Sequence, residues 1–458
     1  MDNKNITVNK IVEICNGKLL SGDENIQVKT YSKDTRTLNK GDMYLGIKGE
    51  KINGNDYIEQ AFINGAIGCI TDENVSEKII NKYKKEKVII KVENTIKAIQ
   101  ELAKYKRSLY NIPVIAVTGS VGKTSTKDII ANVLGQKYKV LKTEGNMNNH
   151  IGLPMTLLKL KDHTAVVVEM GMNHFGEISL LTNIAKPTGC VITNIGTSHI
   201  GNLGSRENIL KAKLEILEGL DKNGFVLINN DNDLLHEWAK KEKRYKIYTY
   251  GLENNSTYMA KKITTLENSS EFEINGIKGN VPIGGIHFVY NSVCAFAVGD
   301  ILNVEKEKII KGISKFKLTA KRMDIEIIKN NIKVINDSYN ASYDSMKAAL
   351  EVVNNTLAQR KIAILGDMLE LGEYAKELHE KVGEEVVKNK IDILITIGEN
   401  AKNIVNKAKE LKMENVKSFN NIDEAIKNIK EIIKSGDLIL LKASNSMNFS
   451  KILNEIKA

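Results

Sequence analysis

Short apolar runs recur along the chain, and segments in which apolar positions have helical spacing separate them. In the middle of the chain the runs lie at residues 112–117, 164–168, 189–193 and 225–228. Continuous apolar runs of this kind are typical of strands buried on both faces, as in a parallel sheet covered by helices. The alternation of such strands with helices predicts an α/β protein.

The C-terminal part of the chain repeats this alternation. Its apolar runs lie at 332–335, 361–365, 391–397 and 438–441, and its helical stretches at 344–355, 373–389 and 400–411. Polar clusters follow the runs, but no Gly-x-Gly-x-x-Gly motif does. The pattern therefore predicts a Rossmann-like domain without a dinucleotide site.

The length of 458 residues exceeds what one hydrophobic core accommodates, and it indicates about three domains. We predict a small α/β N-terminal domain over residues 1–108, a central domain with a mostly parallel sheet over 109–318, and the Rossmann-like domain over 319–458. The helical stretch that precedes residue 110 is expected to connect the first two domains.

The composition narrows the class of protein. Hydrophobic residues make up 42% and charged residues 27%, as in ordinary globular proteins. The net charge of +10 comes from scattered lysines, and with one Trp there is no basic patch interleaved with aromatic residues, so we expect no nucleic-acid partner. The widely spaced Cys15, Cys69, Cys190 and Cys294 fit neither a disulfide framework nor a zinc site.

Targeting and membrane signals are also missing from the sequence. The first residues are polar and lack an apolar signal core, so no secretory signal is evident. No apolar run approaches the roughly 18 residues that a transmembrane helix needs. Together with the dispersed cysteines, these features lead us to expect a cytoplasmic protein without membrane insertion.

The central domain opens with a phosphate-binding pattern. The run at 112–117 ends in TGSVGKT at residues 118–124, and a helical pattern continues from Lys127 to Leu134. Val117 stands where the common motif has its first Gly. Glycines let backbone N–H groups curve around phosphate oxygens, Lys123 can reach the phosphates, and the Thr124 hydroxyl can bind Mg²⁺. We predict nucleotide binding by Gly119, Ser120, Val121, Gly122, Lys123, Thr124 and Ser125.

Two further strand ends carry candidate ligands. Glu169 closes the run at 164–168, and a carboxylate there can hold Mg²⁺ together with Thr124; the alternative is a solvated residue at the end of a strand. His199 follows the run at 189–193. A single His is usually structural or solvated, but His199 shares the strand-end face with Glu169.

Amides and basic residues supply the remaining candidates. In NMNNHIGLP at 146–154, a capping loop would explain one Asn, whereas three Asn residues suggest ligand hydrogen bonds. Lys213 lies on an amphipathic helix, where a solvated charged face is the ordinary interpretation. His287 and Asn291 are four residues apart on one helix face and can bind a base edge or cap the helix.

These motifs closely resemble those of the Mur ligases of peptidoglycan synthesis, and the resemblance covers all three predicted domains. The blocks that carry it are TGSVGKT at 118–124, NMNNHIGLP at 146–154, EMGMNH at 169–174, ITNIGTSH at 192–199, DSYNA at 337–341 and LGDMLELG at 365–372. The blocks that contain Glu169 and Gly366 resemble the family member that adds D-alanyl-D-alanine.

The resemblance implies an amide ligase reaction. ATP would phosphorylate the terminal carboxylate of UDP-MurNAc-tripeptide, the amine of D-alanyl-D-alanine would attack the acyl phosphate, and phosphate would leave. Two other interpretations stay open. One is a sibling ligase, such as a diamino-acid-adding Mur ligase or a folylpolyglutamate synthase. The other is a nucleotide-binding regulatory protein without turnover.

The family pattern also implies roles for residues of the central domain. Thr124 and Glu169 resemble the ligands of one Mg²⁺, and His199 resembles a ligand of a second. Lys213 matches the lysine that the family carbamoylates, which changes the interpretation of this residue from a surface lysine. Lys123, His199 and Lys213 are thereby the expected catalytic residues. Asn291 would contact adenine, with His287 beside it.

The outer domains contribute further implied positions. Arg322 resembles an arginine that reaches the ATP phosphates, and Asp337 an acid that meets the ribose. Thr35 and Arg36 match the site for the UDP-sugar, and Asn146, Asn148 and Asn149 complete the expected substrate contacts. We expect a monomer.

Two departures from the family pattern stand out. The pair Ser342-Tyr343 replaces Asn-Pro, and Asn445 occupies a position where Arg is usual. Asn445 removes a charge that could meet an anionic substrate or phosphate.

Overall fold

The computed structural model describes residues 4–84, 86–318 and 321–458. Three large sheets of five, nine and six strands follow one another along the chain, with helices on their faces. The predicted three-domain α/β fold is confirmed. The boundaries at 108/109 and 318/319 stay predictions, and residues 319 and 320 lie outside the described residues.

The N-terminal part contains the five-stranded sheet. The strands of this part of the chain are β1 (Ile6–Thr7), β2 (Lys18–Ser21), β3 (Gln27–Val28), β4 (Tyr31–Ser32), β5 (Met43–Gly46), β6 (Gly68–Thr71) and β7 (Val88–Lys91). Its helices are α1 (Val8–Ile14), α2 (Ile58–Ile63), α3 (Glu77–Tyr83) and α4 (Thr95–Ser108). The sheet order is β2-β7-β6-β5-β4, and β1 pairs with β3 separately.

Helix α4 joins this part to the centre of the molecule. The buried Arg107 guanidinium donates to the carbonyl oxygens of Ala185 at 2.8 Å and Lys186 at 3.1 Å. Both acceptors follow in the central part of the chain, at the end of a helix whose last carbonyls have no partner within the helix. The last turn of α4 is therefore fixed to the central domain, as expected for a connecting helix.

The central part contains the nine-stranded sheet. Its strands are β8 (Val114–Thr118), β9 (Val140–Lys142), β10 (Ala165–Glu169), β11 (Gly189–Ile192), β12 (Phe225–Asn229), β13 (Lys246–Gly251), β14 (Tyr258–Thr265), β15 (Ser270–Ile274) and β16 (Ile277–Val281). Its helices are α5 (Lys123–Leu134), α6 (Gly152–Leu158), α7 (Glu177–Ala185), α8 (Ile200–Leu203), α9 (Arg206–Leu214), α10 (Asp233–Lys241), α11 (Ile286–Ile301) and α12 (Lys306–Ser314).

The order of this sheet positions the site. Strand β8 lies between β11 and β10, both parallel to it. All residues of β8, β10 and β11 are buried, which explains their continuous apolar runs. Chain connections diverge on either side of β8, and ligands bind beyond the carboxyl ends of strands at such a point. The antiparallel strands β15 and β16 were not predicted, because their exposed faces give alternating rather than continuous apolar patterns.

The C-terminal part contains the six-stranded sheet, in the order β17-β18-β22-β19-β20-β21. Its strands are β17 (Asp324–Ile328), β18 (Ile332–Asn336), β19 (Arg360–Gly366), β20 (Ile393–Ile397), β21 (Val416–Phe419) and β22 (Asp437–Lys442), and its helices are α13 (Tyr343–Asn355), α14 (Ala375–Lys388), α15 (Lys402–Glu410), α16 (Ile422–Ile432) and α17 (Ser450–Lys457). Only β17 is antiparallel to its neighbour among these strands.

Candidate active site

A cavity of about 920 Å³ lies at the carboxyl ends of β8, β10 and β11, and residues of the C-terminal part close one side of it. Most of the predicted site residues line it. They are residues 120–125, Asn146, Asn148, Asn149, Glu169, His199, His287, Asn291, Arg322 and Asp337. Gly119, Lys213, Thr35 and Arg36 are not part of its lining.

The phosphate loop is held in shape by the end of β11. Gly119 has φ +151°, and a Cβ atom there would lie 1.9 Å from Thr193 Oγ1, so only glycine fits. The N–H groups of Ser120 and Val121 donate to Asn194 Oδ1 at 3.0 and 2.9 Å. Because protein already occupies these two donors, an anion would be held by other N–H groups, among them those of the first turn of α5.

Lys123 begins α5 and gives the loop its charge. Its Nζ donates to the carbonyl oxygen of Gly119 at 2.9 Å. Burial lowers the pKa of Lys123, Glu169 opposes this effect, and the nearby Arg322 charge adds to it. A half-buried ammonium with a second cation close by favours binding of a polyanion, which would neutralise both charges.

The Glu169 carboxylate is buried and hydrogen-bonded at the end of β10. It is 1% exposed, and its two oxygens accept hydrogen bonds from Thr124 Oγ1 at 2.9 Å and Asn148 Nδ2 at 2.8 Å. The interpretation as a solvated residue at the end of a strand is therefore wrong. The expected Thr124 and Glu169 pair lies together, with one predicted amide, Asn148, attached to it.

The other two amides of this loop differ from Asn148. The Asn149 side-chain oxygen accepts from the N–H groups of Ile151 at 3.2 Å and Gly152 at 2.8 Å, so it caps the start of α6. Asn146 is exposed to the cavity. The capping alternative thus holds for Asn149 alone, and ligand contact stays a prediction for Asn146.

His199 reaches across to the C-terminal part. It has a left-handed backbone, with φ +64°, and its Nδ1 forms a short hydrogen bond with Glu370 Oε2. This hydrogen bond lowers the pKa of Glu370. Nδ1 is therefore occupied, and Nε2 is the ring nitrogen left for a ligand.

Lys213 lies inside the protein. It is 2% exposed, and within the described ranges no hydrogen bond or ion pair forms with its amine. Burial, together with the Lys123 charge, holds the pKa of Lys213 well below its usual range. The ordinary interpretation as a solvated surface lysine is wrong, whereas Lys211 on the same helix is exposed.

His287 and Asn291 on α11 border the loop. Asn291 Oδ1 accepts from Thr126 Oγ1 at 3.0 Å and lies 3.3 Å from the Cβ position of Gly122. Burial lowers the pKa of His287 to about 4, so its imidazole is neutral at neutral pH. A neutral imidazole has one donor and one acceptor nitrogen, which suits a base edge.

The C-terminal part brings further groups to the cavity. The Arg322 guanidinium lies 3.9 Å from the centre of the Tyr339 ring. Asp337 accepts from Met323 N at 3.1 Å and forms an ion pair with the buried Lys442. Both predicted residues are thus held in place beside the central domain.

Several residues of this face were not predicted from the sequence. Asp344 Oδ2 accepts from Thr197 N at 2.9 Å and Thr197 Oγ1 at 3.0 Å across the interface. Lys442 follows the apolar run at 438–441, so its position at a strand end was a usable signal. No sequence pattern pairs Glu370 with His199, because 171 positions separate them.

The two departures from the family pattern, Ser342-Tyr343 and Asn445, differ in their structural surroundings. Ser342 caps α13 in a reciprocal pair with Ser345, and Tyr343 donates to Glu385 at 3.4 Å. Asn445 is exposed and is not part of the cavity lining. The change at Ser342 therefore contributes a helix cap.

The predicted UDP-sugar residues lie on the N-terminal part. Arg36 is exposed, and its guanidinium pairs with Asp34 at 2.7 Å. This pair holds the pKa of Asp34 at about 2. The Thr35 carbonyl accepts from Asn64 Nδ2 at 2.8 Å. These residues form a surface turn that is separate from the main cavity.

The donor set fits Mg²⁺ bound together with phosphate. Across the residues described, no group of three His, Cys, Asp or Glu side chains forms a metal cage. Mg²⁺ in nucleotide sites usually takes one or two protein ligands and completes its shell with phosphate and water oxygens. The Thr124 and Glu169 pair matches this arrangement, whereas an unmodified Lys213 amine does not act as an oxygen ligand.

The fold and this site are those of a family of ligases. Three models of this family match successive parts of the chain. They are the Mur ligase family catalytic domain over residues 27–107, the Mur ligase middle domain over 117–299 and the Mur ligase glutamate ligase domain over 321–445. The chain belongs to the Mur ligase family.

Individual relatives extend over the whole chain. It is 37% identical over 456 residues, 98% of each protein, to UDP-N-acetylmuramoyl-tripeptide–D-alanyl-D-alanine ligase of Bacillus subtilis. It is 31% identical to the enzyme of the same name from Escherichia coli, over 86% of each chain.

Solved structures agree with these relatives. MurF from Acinetobacter baumannii matches with a TM-score of 0.89 at 27% identity over 100% of both chains. MurF ligase from Thermotoga maritima in complex with ADP matches with a TM-score of 0.80 at 27% identity, over 94% of this chain and 97% of that one. In the described part of this chain, no helix has both the length and the apolar character needed to cross a membrane.

Proposed function

We propose that this protein is an ATP-dependent amide ligase that joins D-alanyl-D-alanine to UDP-MurNAc-tripeptide, giving the UDP-MurNAc-pentapeptide precursor, ADP and phosphate. One observation carries the reaction type. Lys123 lies close to the hydrogen-bonded pair of Thr124 and Glu169, at the carboxyl ends of parallel strands. The acceptor and the sugar peptide are those in the names of the full-length relatives.

The first step is phosphoryl transfer. A carboxylate oxygen of the tripeptide attacks the γ-phosphorus, the bond to the β,γ-bridging oxygen breaks, and ADP leaves. Lys123 and the first-turn N–H groups of α5 would hold the phosphates, and Arg322 would add positive charge from the C-terminal side. Asp337 would meet the ribose, and Asn291 and His287 the base.

The second step forms the amide. The amine nitrogen of D-alanyl-D-alanine attacks the acyl carbon, phosphate leaves from the tetrahedral intermediate, and the nitrogen loses its proton to phosphate or water. Positioning and exclusion of water are the main contributions that the protein can make here. The closed contact between the central and C-terminal parts supports this role, because it covers one side of the cavity.

Two Mg²⁺ sites are part of the proposal. Thr124 and Glu169 would hold one ion, and His199 the other, together with a modified Lys213. The ions would neutralise charge on the phosphates when bound. A neutral Lys213 amine can add to carbon dioxide with loss of a proton, which gives a carbamate anion with oxygen ligands. Its burial and lowered pKa support this modification.

Residues of the N-terminal part and of the loop before α6 complete the proposal. Thr35 and Arg36 would bind the UDP-sugar, and Asn146 and Asn148 would contact substrate. Asn149 would act through the loop that it caps. The domain boundaries at 108/109 and 318/319 and a cytoplasmic location are also proposed, the latter supported by four free thiols.

Phosphate release from ATP tests the function. Purified protein is incubated with Mg²⁺ and UDP-MurNAc-tripeptide, with and without D-alanyl-D-alanine, and products are identified by mass. We expect release that needs both substrates and a UDP-pentapeptide product. Release with single amino acids instead would identify a sibling ligase, and nucleotide binding without release under any acceptor would identify a non-catalytic protein.

A further inference from the structure

The segment 367–374 of the C-terminal part contacts the start of α8 in the central part directly. Gly201 N donates to the Glu370 carbonyl at 3.0 Å, and Tyr374 Oη donates to the Gly204 carbonyl at 2.6 Å. A Cβ atom on Gly201 would lie 2.5 Å from Gly372 N. The two backbones therefore meet directly, with Glu370 next to His199.

The segment that carries Glu370 is fixed by its own domain. His379 Nε2 accepts from Met368 N at 3.0 Å, and Ser444 Oγ accepts from Leu369 N at 3.0 Å. His379 is fully buried. Glu370 itself has a left-handed backbone, with φ +62°. A non-glycine residue adopts this conformation when its surroundings require it, so the direction of the Glu370 side chain is predetermined.

The chemistry of the pair fixes the state of His199. An ionised carboxylate only accepts hydrogen bonds, so the Nδ1 that faces Glu370 must carry the proton. In a neutral imidazole the lone pair is then on Nε2. Partners of this kind fix the ring orientation and the tautomer of ligand histidines. Here the partner comes from a different domain from the histidine.

We propose that Glu370 is a positioning residue which holds His199 as the Nδ1–H tautomer only while the C-terminal domain is docked. The effect on turnover rests on the proposed function, in which His199 acts at the nucleotide site. The tautomer and the docking contact do not depend on it. When the interface opens, His199 loses its partner, so the site is complete only in the closed arrangement.

Three variants separate this role from simple docking. Glu370→Ala removes the acceptor, and Glu370→Gln keeps an oxygen that can still accept from Nδ1. Tyr374→Phe removes the neighbouring hydrogen bond to Gly204 without touching His199. Glu373→Gln is the matched control, since Glu373 is exposed and has no hydrogen bond or ion pair to other described residues.

The direct readout is the tautomer of His199 in the full chain without ligands. ¹⁵N-histidine labelling gives signals from seven histidines, and His199→Gln assigns the relevant one. We expect the Nδ1–H form in the unsubstituted protein, in Glu370→Gln, in Tyr374→Phe and in Glu373→Gln. In Glu370→Ala we expect a shift toward the Nε2–H form, which solvated imidazoles favour.

Steady-state kinetics supply the second readout. We expect Glu370→Ala to lower kcat by about 10- to 100-fold, the usual range for partners of ligand histidines, with little change in KM for the UDP-substrate. Glu370→Gln should recover much of this loss. Tyr374→Phe should change kcat by less than Glu370→Ala does, because the tautomer is kept.

The inference is overturned if Glu370→Ala keeps the Nδ1–H signal, or if the control Glu373→Gln shifts the tautomer as much as Glu370→Ala does. The second result would mean that the tautomer does not depend on the Glu370 carboxylate itself. If the unsubstituted protein turns over no acceptor, the proposed function fails, yet the tautomer measurement still decides the role of Glu370. Wild-type kcat in Glu370→Ala would reject the positioning role while leaving the proposed function intact.

Discussion

The phosphate loop and the face that the C-terminal domain presents to it are built in opposite ways. The loop is one continuous segment, residues 118–124, and its shape is fixed by Thr193 and Asn194, which follow the neighbouring strand β11. The opposite face is assembled from separate positions, among them Asp344 and Glu370, whose partners are more than a hundred residues away. Local sequence thus specifies the first region, and domain docking specifies the second.

The two regions also differ in how firmly they are held. The loop is bordered by fully buried strands, so its glycines and hydroxyls have little freedom. The interface depends on polar contacts at partly exposed side chains such as Glu370. Interfaces between domains of one chain are typically polar and permit relative motion. We therefore expect larger losses from changes in the loop than from changes at the interface.

The largest effect is expected for Lys123→Ala in the loop. The substitution removes a cation that would hold the phosphates, and the loss of one such donor lowers kcat by about 10²- to 10³-fold. Phosphate release is the measurement, with circular dichroism to show that the fold is kept. Lys222→Ala, at an exposed turn, is the control and should be unchanged. Normal activity of Lys123→Ala would refute the assignment of the loop.

Lys213→Ala tests the buried lysine of α9. We expect turnover to fall by on the order of 100-fold, as for loss of a group near a metal, and to be partly restored by short carboxylic acids, which can stand in for a carbamate. Lys211→Ala on the same helix is the matched control, because Lys211 is exposed. Activity of Lys213→Ala equal to that of the control, without added acid, would mean that no carbamate is needed.

Asp344→Ala tests the interface at its other end. The substitution leaves the N–H and hydroxyl of Thr197 without their acceptor, and hydrogen bonds to charged groups contribute about 1.5–3 kcal/mol each. We expect a rise in KM for ATP of roughly tenfold, since docking becomes less favourable. Initial rates against ATP concentration measure it. Lys347→Ala on the same helix should leave KM unchanged, and an equal effect there would contradict the role of Asp344.

The smallest expected effect concerns His287 and pH. Its folded-state pKa of about 4 lies below the usual value near 6.5, so the unfolded chain binds more protons between these values. The stabilisation is complete above about pH 6.5 and is lost as the pH falls toward 4. His287→Asn cannot titrate, so we expect its Tm to fall less on acidification.

Thermal unfolding at about pH 7 and about pH 4.5 measures this difference. We expect His287 to contribute about 1 kcal/mol to the free energy of unfolding at neutral pH, since solvent screens its half-buried side chain. This contribution corresponds to a difference of roughly 2–4 °C in Tm. The control is His174→Asn, at an exposed position of the same cavity region. If both variants lose Tm in parallel with the unsubstituted protein, His287 does not supply the pH dependence.

The sequence predicted the elements that carry the site because their patterns are local. Continuous apolar runs gave β8, β10 and β11 to within one or two residues, and α5 begins at Lys123, four residues before the predicted helical pattern. Helix starts at glycine turns are hard to locate, since Gly122 has no side chain that marks a cap. The exposed antiparallel strands gave no such pattern and were missed.

Residue types and spacing alone established an α/β fold, a phosphate loop at residues 118–124 and a carboxylate at a neighbouring strand end, because these depend on short-range backbone geometry. Tertiary structure alone decided which lysine of α9 is buried, which Asn caps a helix and which binds Glu169, and that Glu370 meets His199. Burial and pairing between distant segments arise from packing, and packing depends on all parts of the chain at once.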